Sequence, residues 1–265
     1  MRIFIISIDD PIYTNDFIKN IIDNRKEDIV GVAITQGDKL TIRKKRSKIV
    51  YLMSLILIMG VSFYMKLSLK KIRFLLQRFL SKRIQSVGDL SLFAYAKARG
   101  IETSRIKTPN SRSFVENLKV LDVDVIISQS QNILKKEILK VPRIGVLNRH
   151  NALLPKNRGR LSPFWALYYK NVRTGVSIHF VDEGIDSGGI ITQMGFDIEK
   201  NSTFESITRK CYKIADELIL EALEILETGE YRVIDNDDSL ATYNTIPSFK
   251  EALRFRLSRM GLNKL

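Results

Sequence analysis

The sequence predicts an α/β fold with a doubly wound, mainly parallel sheet, a helical insertion and a small C-terminal appendage. The chain opens with an apolar run at Arg2–Ile8. It continues with Thr14–Asn24, in which the apolar residues share one helical face, and returns to an apolar run at Ile29–Thr35. This order of strand, helix and strand places two parallel strands side by side with the helix packed on them. Further strand-like and helix-like runs alternate along the chain, so we expect later strands to join the same sheet.

The composition favours one large domain with a substantial core. Of the 265 residues, 45% are hydrophobic, which is ample for a domain core. We assign residues 1–229 to the main domain, with the insertion at about residues 39–83, and residues 230–265 to the appendage. The single cysteine excludes an intramolecular disulfide framework, and the first apolar run ends at Asp9 and Asp10, too early for a secretory signal. Both observations predict a cytoplasmic protein.

Local patterns predict the remaining elements. Beyond the insertion, helices are expected at Asp89–Arg99, Ser111–Leu121, Leu134–Leu139, Ser162–Lys170, Phe204–Glu227 and Ser248–Met260. Strands are expected at Ile101–Ile106, Val123–Ser128, Ile144–Leu147, Gly175–Val181, Tyr231–Ile234 and Ala241–Tyr243. Ser162 is the expected N-cap of its helix, with Pro163 as the first helical residue. Gly229 is the expected residue just past the end of the long helix.

The insertion contains almost all of the chain's excess positive charge. Residues 39–83 include thirteen Lys and Arg residues and no Asp or Glu, against a formal net charge of +14 for the whole chain. Between the basic clusters, Ile49–Met65 is almost wholly apolar. A transmembrane helix needs about 20 apolar residues, and a span here would divide the sheet between two compartments. A buried core helix explains the apolar run but not the charge beside it.

A helical insertion that packs partly on the domain and partly on an anionic surface explains both features. We therefore expect a peripheral contact with an anionic membrane, at its inner face, through residues 39–83. Nucleic acid is the alternative partner, because a basic patch attracts any polyanion. If neither contact is made, the segment only packs on the domain.

Three polar side chains lie at the ends of two predicted strands. Asn148 and His150 close an apolar strand, and residues i and i+2 of a strand point to the same side. Asp186 lies in the acidic turn Asp182–Gly189, directly after the strand Gly175–Val181. An amide donor, a group that titrates near neutral pH and a carboxylate can therefore face one reacting centre.

This set suits transfer of a group by direct attack of a substrate on a carbonyl. No Ser or Cys lies in a recognisable nucleophile turn, and Cys211 belongs to a predicted helix. The amide and the imidazole would stabilise a tetrahedral oxyanion, while the carboxylate would orient the imidazole or move a proton. An isolated Asn-x-His is nevertheless common, and an Asp in a turn often only caps backbone N–H groups. His179, within a strand pattern, is assigned a structural role.

Six short blocks occur in a fixed order along residues 148–188. They are Asn148-Arg149-His150, Leu153-Leu154-Pro155, Arg158-Gly159, Trp165-Ala166, Thr174-Gly175-Val176 and the run Asp182–Gly188. In this combination the chain resembles the formyltransferase family that uses 10-formyltetrahydrofolate, densely over about residues 120–195 and loosely elsewhere. The family includes glycinamide ribonucleotide, methionyl-tRNA and nucleotide-sugar formyltransferases. Its catalytic Asn, His and Asp match Asn148, His150 and Asp186, whereas Asn151-Ala152 departs from the usual Pro-Ser or Gly-Ser.

The resemblance implies a Rossmann-like formyltransferase fold, with 10-formyltetrahydrofolate as co-substrate and no metal. The loop after the strand Val123–Ser128 would meet the pterin ring, and the acidic turn would form the facing wall. The implied cofactor-binding residues are Gln131, Asn132, Ile133, Leu134, Val181, Glu183, Gly184 and Ile185. Ile133 and Leu134 are equally well explained as ordinary core residues.

Two absences narrow the choice of acceptor amine. The loop Ser7–Tyr13 lacks the glycines with which a backbone cradles phosphate, which argues against a glycinamide ribonucleotide. The family's methionyl-tRNA enzymes have a larger C-terminal domain than residues 230–265 can form. We therefore expect an amino sugar on a nucleotide or lipid carrier. Arg158 and Arg160 are the candidates to meet the anionic carrier, and bracing of their loop through backbone carbonyls is the competing role.

Three alternatives remain open. A methionyl-tRNA formyltransferase would perform the same reaction on a larger acceptor, and a 10-formyltetrahydrofolate hydrolase would use the same triad to release formate. A membrane or nucleic-acid adaptor is the non-enzymatic alternative, against which the intact triad argues. The production of tetrahydrofolate with and without candidate amines distinguishes the three.

Overall fold

The first three elements form where the sequence predicts them. The computed structural model describes residues 1–35, 48–81, 83–84 and 90–261. Strand β1 (Ile3–Ile8) is followed by helix α1 (Thr14–Asn24) and strand β2 (Ile29–Thr35), and the two strands pair in parallel. The predicted basic cluster Arg43–Arg46 lies outside the described residues, as do Lys39 and Lys82.

The remaining elements alternate along the chain. They are α2 (Lys48–Met59), α3 (Val61–Ser81), α4 (Leu92–Lys97), β3 (Thr103–Ile106), α5 (Arg112–Val120), β4 (Val125–Gln129), α6 (Lys136–Leu139), β5 (Gly145–His150), β6 (Arg158–Gly159), α7 (Ser162–Tyr168), β7 (Arg173–Phe180), β8 (Ile190–Asp197), α8 (Phe204–Glu227), β9 (Tyr243–Asn244) and α9 (Phe249–Arg259). Single turns of 3-10 helix form at Lys26–Asp28 and Asp238–Leu240.

The main sheet confirms the doubly wound, mainly parallel arrangement. Its strand order over the described residues is β3-β2-β1-β4-β5-β7-β8. Strands β3 to β5 in this order run parallel, β7 pairs antiparallel with β5, and β8 pairs antiparallel with β7. The carboxyl ends of the parallel strands therefore meet at one edge of the sheet, which is where such folds bind ligands.

Alternate residues of the central strands face two separate cores. Ile3 and Ile5 of β1 pack with α1 and α8 on one side of the sheet. Phe4 and Ile6 pack with α5 and α6 on the other side. A strand buried on both faces has to be apolar at every position, which explains the unbroken apolar runs of the sequence.

Helix α8 packs its apolar face on β7 and β8. Thr203 and Ser206 form a reciprocal capping box at its start. As predicted, Gly229 follows its end, with a φ of +72° that glycine adopts without steric cost. Cys211 lies buried on the inner face, and burial raises the pKa of its thiol to about 12. This thiol is therefore not ionised near neutral pH.

The inserted helices bend sharply and pack on the domain through one face. Helices α2 and α3 meet at Gly60, which has a φ of +83°, and their axes differ by 117°. Arg256 of α9 donates from Nε to the carbonyl oxygen of Leu57 over 2.8 Å. The residues buried in this third core cluster are Ile58, Phe63, Phe164, Trp165, Phe204, Ala252 and Phe255. The insertion is thus anchored on α7, α8 and α9.

The other face of the insertion is apolar and exposed. Its large exposed apolar residues are Ile49, Val50, Leu52, Met53, Val61, Met65, Leu69, Ile72, Leu75, Leu76, Phe79 and Leu80. Over the described residues, no single helix has both the length and the apolarity to cross a bilayer, whereas α2 and α3 together meet those two criteria across their bend. An exposed apolar patch of this kind commonly marks an interaction surface.

Three local predictions are wrong. Strand β8 has no counterpart among the predicted elements, because Gln, Gly and Asp interrupt its apolar residues. Ser162 is the first residue of α7 rather than its N-cap, since Leu161 before it has a φ of +58° and the hydroxyl of Ser162 lies 3.2 Å from His150 Nε2. In place of a strand at Tyr231–Ile234, only Ile234 forms an isolated bridge, with Ile190.

Residues 230–261 contact both the insertion and the strand ends of the main domain. Strand β9 pairs with β6, and α9 packs on α2. The side-chain amide of Asn236 donates to the carbonyl oxygens of Asp186 and Gly188, over 2.9 and 2.8 Å. This segment therefore supports both the insertion and the turn that contains the predicted catalytic aspartate.

Candidate functional site

The antiparallel pairing of β5 with β7 brings the two halves of the predicted site together. Asn148 lies opposite His179 in the ladder, and His150 lies opposite Ser177. Asp186 follows in the turn between β7 and β8, where its φ of +51° is a left-handed conformation. The side chains of Asn148, His150 and Asp186 converge at the end of these strands.

The amide of Asn148 has a fixed orientation. Its Oδ1 accepts a hydrogen bond from Gln129 Nε2 over 2.9 Å. Its Nδ2 lies 3.4 Å from His179 Nε2. Because His179 Nδ1 lies 2.7 Å from the carbonyl oxygen of Phe180, that nitrogen has to bear the proton, and Nε2 is left to accept from the amide. The second N–H of Asn148 is then available for a substrate oxygen.

His179 is held in its neutral form. It is only 1% exposed, and burial is the largest influence on its imidazole, lowering the pKa to about 4. The carboxylate of Asp186, 3.6 Å from His179 Nε2, favours the protonated form but does not outweigh the burial. His179 therefore acts on the site as a hydrogen-bond acceptor that orients Asn148, a role that its position in a strand did not reveal.

Asp186 lies between the two imidazoles. Its Oδ1 faces His179, and its Oδ2 lies 3.4 Å from His150 Nδ1. The backbone N–H of Gly159 donates to the same Oδ2 over 2.8 Å. The carboxylate is therefore placed by the loop after β5 as well as by its own turn.

Both ring nitrogens of His150 face hydrogen-bond acceptors. Nε2 lies 2.8 Å from the carbonyl oxygen of Asn157, and Nδ1 faces Asp186. The hydroxyl of Ser162 also approaches Nε2, at 3.2 Å. Whichever ring nitrogen bears a proton therefore has an oxygen to donate to.

Two further residues form a layer behind the amide. Arg149 donates from Nε and Nη2 to Gln129 Oε1, over 3.2 and 3.0 Å, and Gln129 in turn donates to Asn148. The guanidinium also lies over the ring of Tyr212, 4.1 Å from its centroid, and donates to its hydroxyl. Because side chains alternate along a strand, Arg149 faces the side opposite to Asn148 and His150. No sequence pattern connects Arg149 with Gln129.

A cavity of about 550 Å³ opens beside Asn148 and Asp186. Seven of the eight predicted cofactor-binding residues line it, namely Gln131, Asn132, Ile133, Leu134, Val181, Gly184 and Ile185. The eighth, Glu183, is not on the wall, and its carboxylate lies 4.0 Å from Lys136 Nζ. Leu134 is a core residue as well as a wall residue, whereas Ile133 is 71% exposed. His150 is also absent from the wall of this cavity.

The two predicted carrier-binding arginines differ in their surroundings. Arg158 is buried, and its guanidinium donates to the carboxylate of Asp238 and to both oxygens of Asn236. These contacts give Arg158 the bracing role. Arg160 is exposed and lines the cavity, so its side chain is placed to meet a ligand.

Metal-binding clusters are absent from the part of the chain that the structure describes: no group of three His, Cys, Asp or Glu side chains there is arranged to hold an ion. The site therefore consists of an amide, two imidazoles and a carboxylate beside a ligand-sized cavity.

A comparison with known families identifies the domain that contains these groups. The model of the formyl transferase family matches residues 91–223, half of the chain. The chain belongs to this formyl transferase family. The matched residues include Asn148, His150 and Asp186, together with the loop at Gln131.

Several curated relatives of the family are methionyl-tRNA formyltransferases. The one from Kosmotoga olearia is 34% identical over 56% of this chain and 48% of its own length. The one from Thermotoga maritima is 31% identical over 61% of this chain and 52% of its own length. The chain spans about half the length of the curated relatives it matches.

Solved structures share the fold at low identity. A sugar N-formyltransferase from Shewanella superposes with a TM-score of 0.60 at 16% identity, covering 97% of this chain and 88% of the other. Glycinamide ribonucleotide transformylase 1 from Symbiobacterium toebii gives a TM-score of 0.59 at 18% identity, covering 89% and 95%. These likenesses confirm the predicted fold of the formyl transferase domain.

The buried, neutral state of His179 predicts how stability depends on pH. Its pKa falls from 6.5 in the unfolded chain to about 4 in the folded protein, so the unfolded chain binds more protons between these values. Its contribution to the free energy of unfolding is complete above pH 6.5 and is lost as the pH falls towards 4, by at most about 3 kcal/mol. In urea denaturation at several pH values, the free energy of unfolding should depend less steeply on pH for His179→Gln than for wild type. Equal slopes would contradict the assignment.

Proposed function

We propose that the protein is an N-formyltransferase that moves the formyl group of 10-formyltetrahydrofolate to a primary amine. The observation that carries this proposal is the convergence of Asn148, His150 and Asp186 at the strand ends beside the large cavity. An amide donor, an imidazole and a carboxylate are the groups required to stabilise an oxyanion and to move a proton. Family membership supports the same reaction class.

The cavity fits a folate. Its volume of about 550 Å³ lies within the range of small-molecule sites, and Val181, Leu134 and Ile185 give it apolar walls suited to a flat ring. Asn132 and the turn at Gly184 also line the cavity and contribute polar groups to its wall. A related sugar 3N-formyl transferase, 18% identical, was solved in the presence of dTDP and 5-N-formyl-THF, which supports a folate site in this fold.

In the proposed reaction the free amine attacks the formyl carbon and displaces the folate nitrogen. A new C–N bond forms as the bond from the formyl carbon to N10 breaks, and the proton lost by the amine is delivered to N10. The second N–H of Asn148 donates to the oxyanion, while Asp186 takes the proton from the amine through a water. His150 stabilises the charge of Asp186 and, by releasing the Asn157 carbonyl, gains an N–H for the oxyanion.

The acceptor that we favour is an amino sugar on a nucleotide or lipid carrier. Sugar N-formyltransferases are among the structures with the same fold, including one from Helicobacter canadensis in complex with folinic acid and dTDP-3-aminofucose. The exposed Arg160 at the cavity and the absence of a glycine-rich turn after β1 also fit this acceptor. Initiator methionyl-tRNA is the second candidate, because the curated relatives are methionyl-tRNA formyltransferases.

The first test of the proposal concerns the triad. Asn148→Ala should lower kcat at least a hundredfold, because loss of one oxyanion donor costs roughly 3 kcal/mol of transition-state stabilisation. Asp186→Ala should also lower kcat at least a hundredfold, because general acid–base catalysis contributes roughly 10²–10⁴-fold. The affinity for folate, measured by fluorescence titration, should change only a few-fold. If either variant keeps a near-normal kcat, the assignment of the catalytic groups is wrong. Formate release without any amine would instead indicate a hydrolase.

The second test concerns the carrier. Arg160→Glu should raise KM for a nucleotide-linked amino sugar by tenfold or more, and far more than KM for the folate, since a guanidinium binds phosphate by paired, charge-assisted hydrogen bonds. Lys140→Glu is the matched control, because Lys140 is exposed and lies outside the cavity. Efficient formylation of initiator methionyl-tRNA, with no activity on amino sugars, would overturn the choice of acceptor.

We also propose that the α2–α3 pair seats the enzyme on an anionic membrane. Exposed apolar residues cover its outer face, with Met65, Leu69, Ile72 and Leu76 at helical spacing along α3. Exposed basic side chains accompany them on the same helix, at Lys66, Lys70, Lys71 and Arg73. Apolar surface and positive charge together suit an anionic bilayer. The apolar face would insert into the bilayer, and the basic side chains would contact the anionic headgroups.

Vesicle binding tests this contact. The wild-type protein should co-sediment with vesicles that contain anionic phospholipid, and added salt should weaken the binding by screening. Replacement of Leu69, Ile72 and Leu76 by Ser should abolish co-sedimentation, as should neutralisation of Arg43–Arg46. The control Val120→Ser/Val172→Ser changes two still more exposed apolar residues elsewhere and should bind as wild type does. Indifference of the wild type to anionic vesicles at low salt, or preference for nucleic acid, would refute the proposal.

A further inference from the structure

The side chain of Gln129 lies between the amide of Asn148 and the guanidinium of Arg149, and every hydrogen-bonding position of its own amide is occupied. Its Nε2 donates to Asn148 Oδ1 over 2.9 Å and to the carbonyl oxygen of Ser128 over 3.0 Å. Its Oε1 accepts from Arg149 Nε and Nη2, over 3.2 and 3.0 Å. Because an amide has two N–H donors and one oxygen with two lone pairs, the Gln129 amide is saturated. It is also buried, with 9% of the residue exposed.

Arg149 determines which way this amide points. A guanidinium carries only donors, so the atom of Gln129 that faces it has to be the oxygen. The same amide turned by half a circle would set Nε2 against those donors and Oε1 against two other oxygens. Gln129 therefore presents an N–H to Asn148, whose own oxygen turns towards it. The Nδ2 of Asn148 is thereby directed to the other side, towards His179 and the reacting centre.

Arg149 is itself held by its neighbours. Its Nη1 donates to Asn151 Oδ1 over 2.6 Å, and its Nη2 donates to the hydroxyl of Tyr212 over 3.1 Å. The guanidinium lies 4.1 Å from the centroid of the Tyr212 ring and 5.2 Å from that of Phe17, and aromatic faces attract a cation. Asn151 stands where the family usually has Pro or Gly. Neither of those residues has a side chain that could accept this hydrogen bond, so the departure at Asn151 serves the arginine.

The three side chains form one chain of hydrogen bonds that begins at a positive charge and runs from Arg149 through Gln129 to Asn148. Hydrogen bonds in such a chain polarise one another, which strengthens each donor along it. We infer that Gln129 and Arg149 are positioning residues of the formyl transfer, which turn the free N–H of Asn148 towards the oxyanion and strengthen it. Neither side chain lines the cavity proposed for the folate, so both act through Asn148. This inference rests on the proposed function and adds the residues that orient its oxyanion donor.

Two replacements of Gln129 distinguish positioning from packing. Gln129→Glu keeps the shape and the contact with Arg149, which favours the ionised carboxylate, but the donor to Asn148 becomes an acceptor. The Asn148 amide then has to turn an N–H away from the reacting centre, so kcat should fall about thirtyfold or more, towards the value for Asn148→Ala. Gln129→Met removes the hydrogen bond without reversing the amide, and kcat should fall only about three- to tenfold. KM for the folate should be unchanged in both variants.

A purely structural role of Gln129 predicts the opposite order. Glutamate preserves both the size of the side chain and its contact with Arg149, whereas methionine preserves only the size. A loss of kcat in Gln129→Glu that is equal to or smaller than that in Gln129→Met would therefore overturn the inference. Gln193→Glu is the matched control, because Gln193 Oε1 accepts from the Ser177 hydroxyl over 3.1 Å and a carboxylate retains that bond. Its kcat should remain near that of wild type.

Replacement of the arginine supplies a second comparison. Arg149→Met leaves Gln129 Oε1 without its two donors, so kcat should fall about three- to tenfold. Arg149→Lys still brings donors and a positive charge to this oxygen and should recover part of the loss. Thermal unfolding of each variant measures the lost packing separately. A methionine variant with the kcat of wild type, or a lysine variant no more active than the methionine variant, would contradict the inference.

The direction of the hydrogen bonds can be measured without turnover, which separates this inference from the proposed function. NMR couplings across the hydrogen bond should connect Gln129 Nε2 with Asn148 Cγ in wild type and in Gln193→Glu. In Gln129→Glu the coupling should instead run from Asn148 Nδ2 to the introduced carboxyl carbon. If these couplings appear but no amine is formylated, the positioning of Asn148 stands and the formyl transfer falls. If amines are formylated while Gln129→Glu shows no such reversal, the inference falls.

Discussion

The site depends on one carboxylate that lies within reach of two imidazoles. Asp186 could favour protonation of either ring, and the other hydrogen bonds of each ring decide between them. His179 uses Nδ1–H for the carbonyl of Phe180 and receives the amide of Asn148 at Nε2, so a second proton would oppose that amide. His150 instead meets acceptor oxygens at both nitrogens. His179 is therefore left to orient the amide of Asn148, while His150 Nδ1 faces the carboxylate of Asp186.

The same carboxylate explains why distant segments have to fold together. Its position needs the left-handed backbone of the turn, the N–H of Gly159 and the amide of Asn236, which belongs to the C-terminal segment. Asn236 also accepts from the buried guanidinium of Arg158, the residue next to Gly159. The loop after β5, the turn after β7 and the C-terminal segment therefore brace one another, and displacement of any one of them would move the carboxylate.

The sequence predicted those parts of the structure that follow from local patterns. The strand at Ile29 and the helices at Thr14 and Phe204 begin as predicted, and the first strand begins one residue later than predicted, because continuous burial or one apolar helical face fixes their periodicity. Spacing and family resemblance led to Asn148 and Asp186, which lie beside the cavity, and to seven other residues of its wall. The role of His179 and the Arg149–Gln129 pair were not predictable, because they arise from the register of β5 with β7 and from the parallel neighbours β4 and β5. Strand register depends on tertiary packing that periodicity does not encode.

The inserted helices bear on two questions together, namely which carrier holds the acceptor amine and whether the enzyme lies at a membrane. Met59 and Phe63, at the bend of the insertion, line a cavity of about 320 Å³ that His150 also lines. The outer faces of the same two helices are apolar and exposed. A soluble nucleotide-linked amine would need only the inner wall, and the exposed face would then be a liability for solubility. An amine on a lipid carrier would use both faces, since a bilayer that covers the outer face would bring the carrier's headgroup close to the cavity. Of the two carriers proposed, only the lipid would use both faces of the α2–α3 pair.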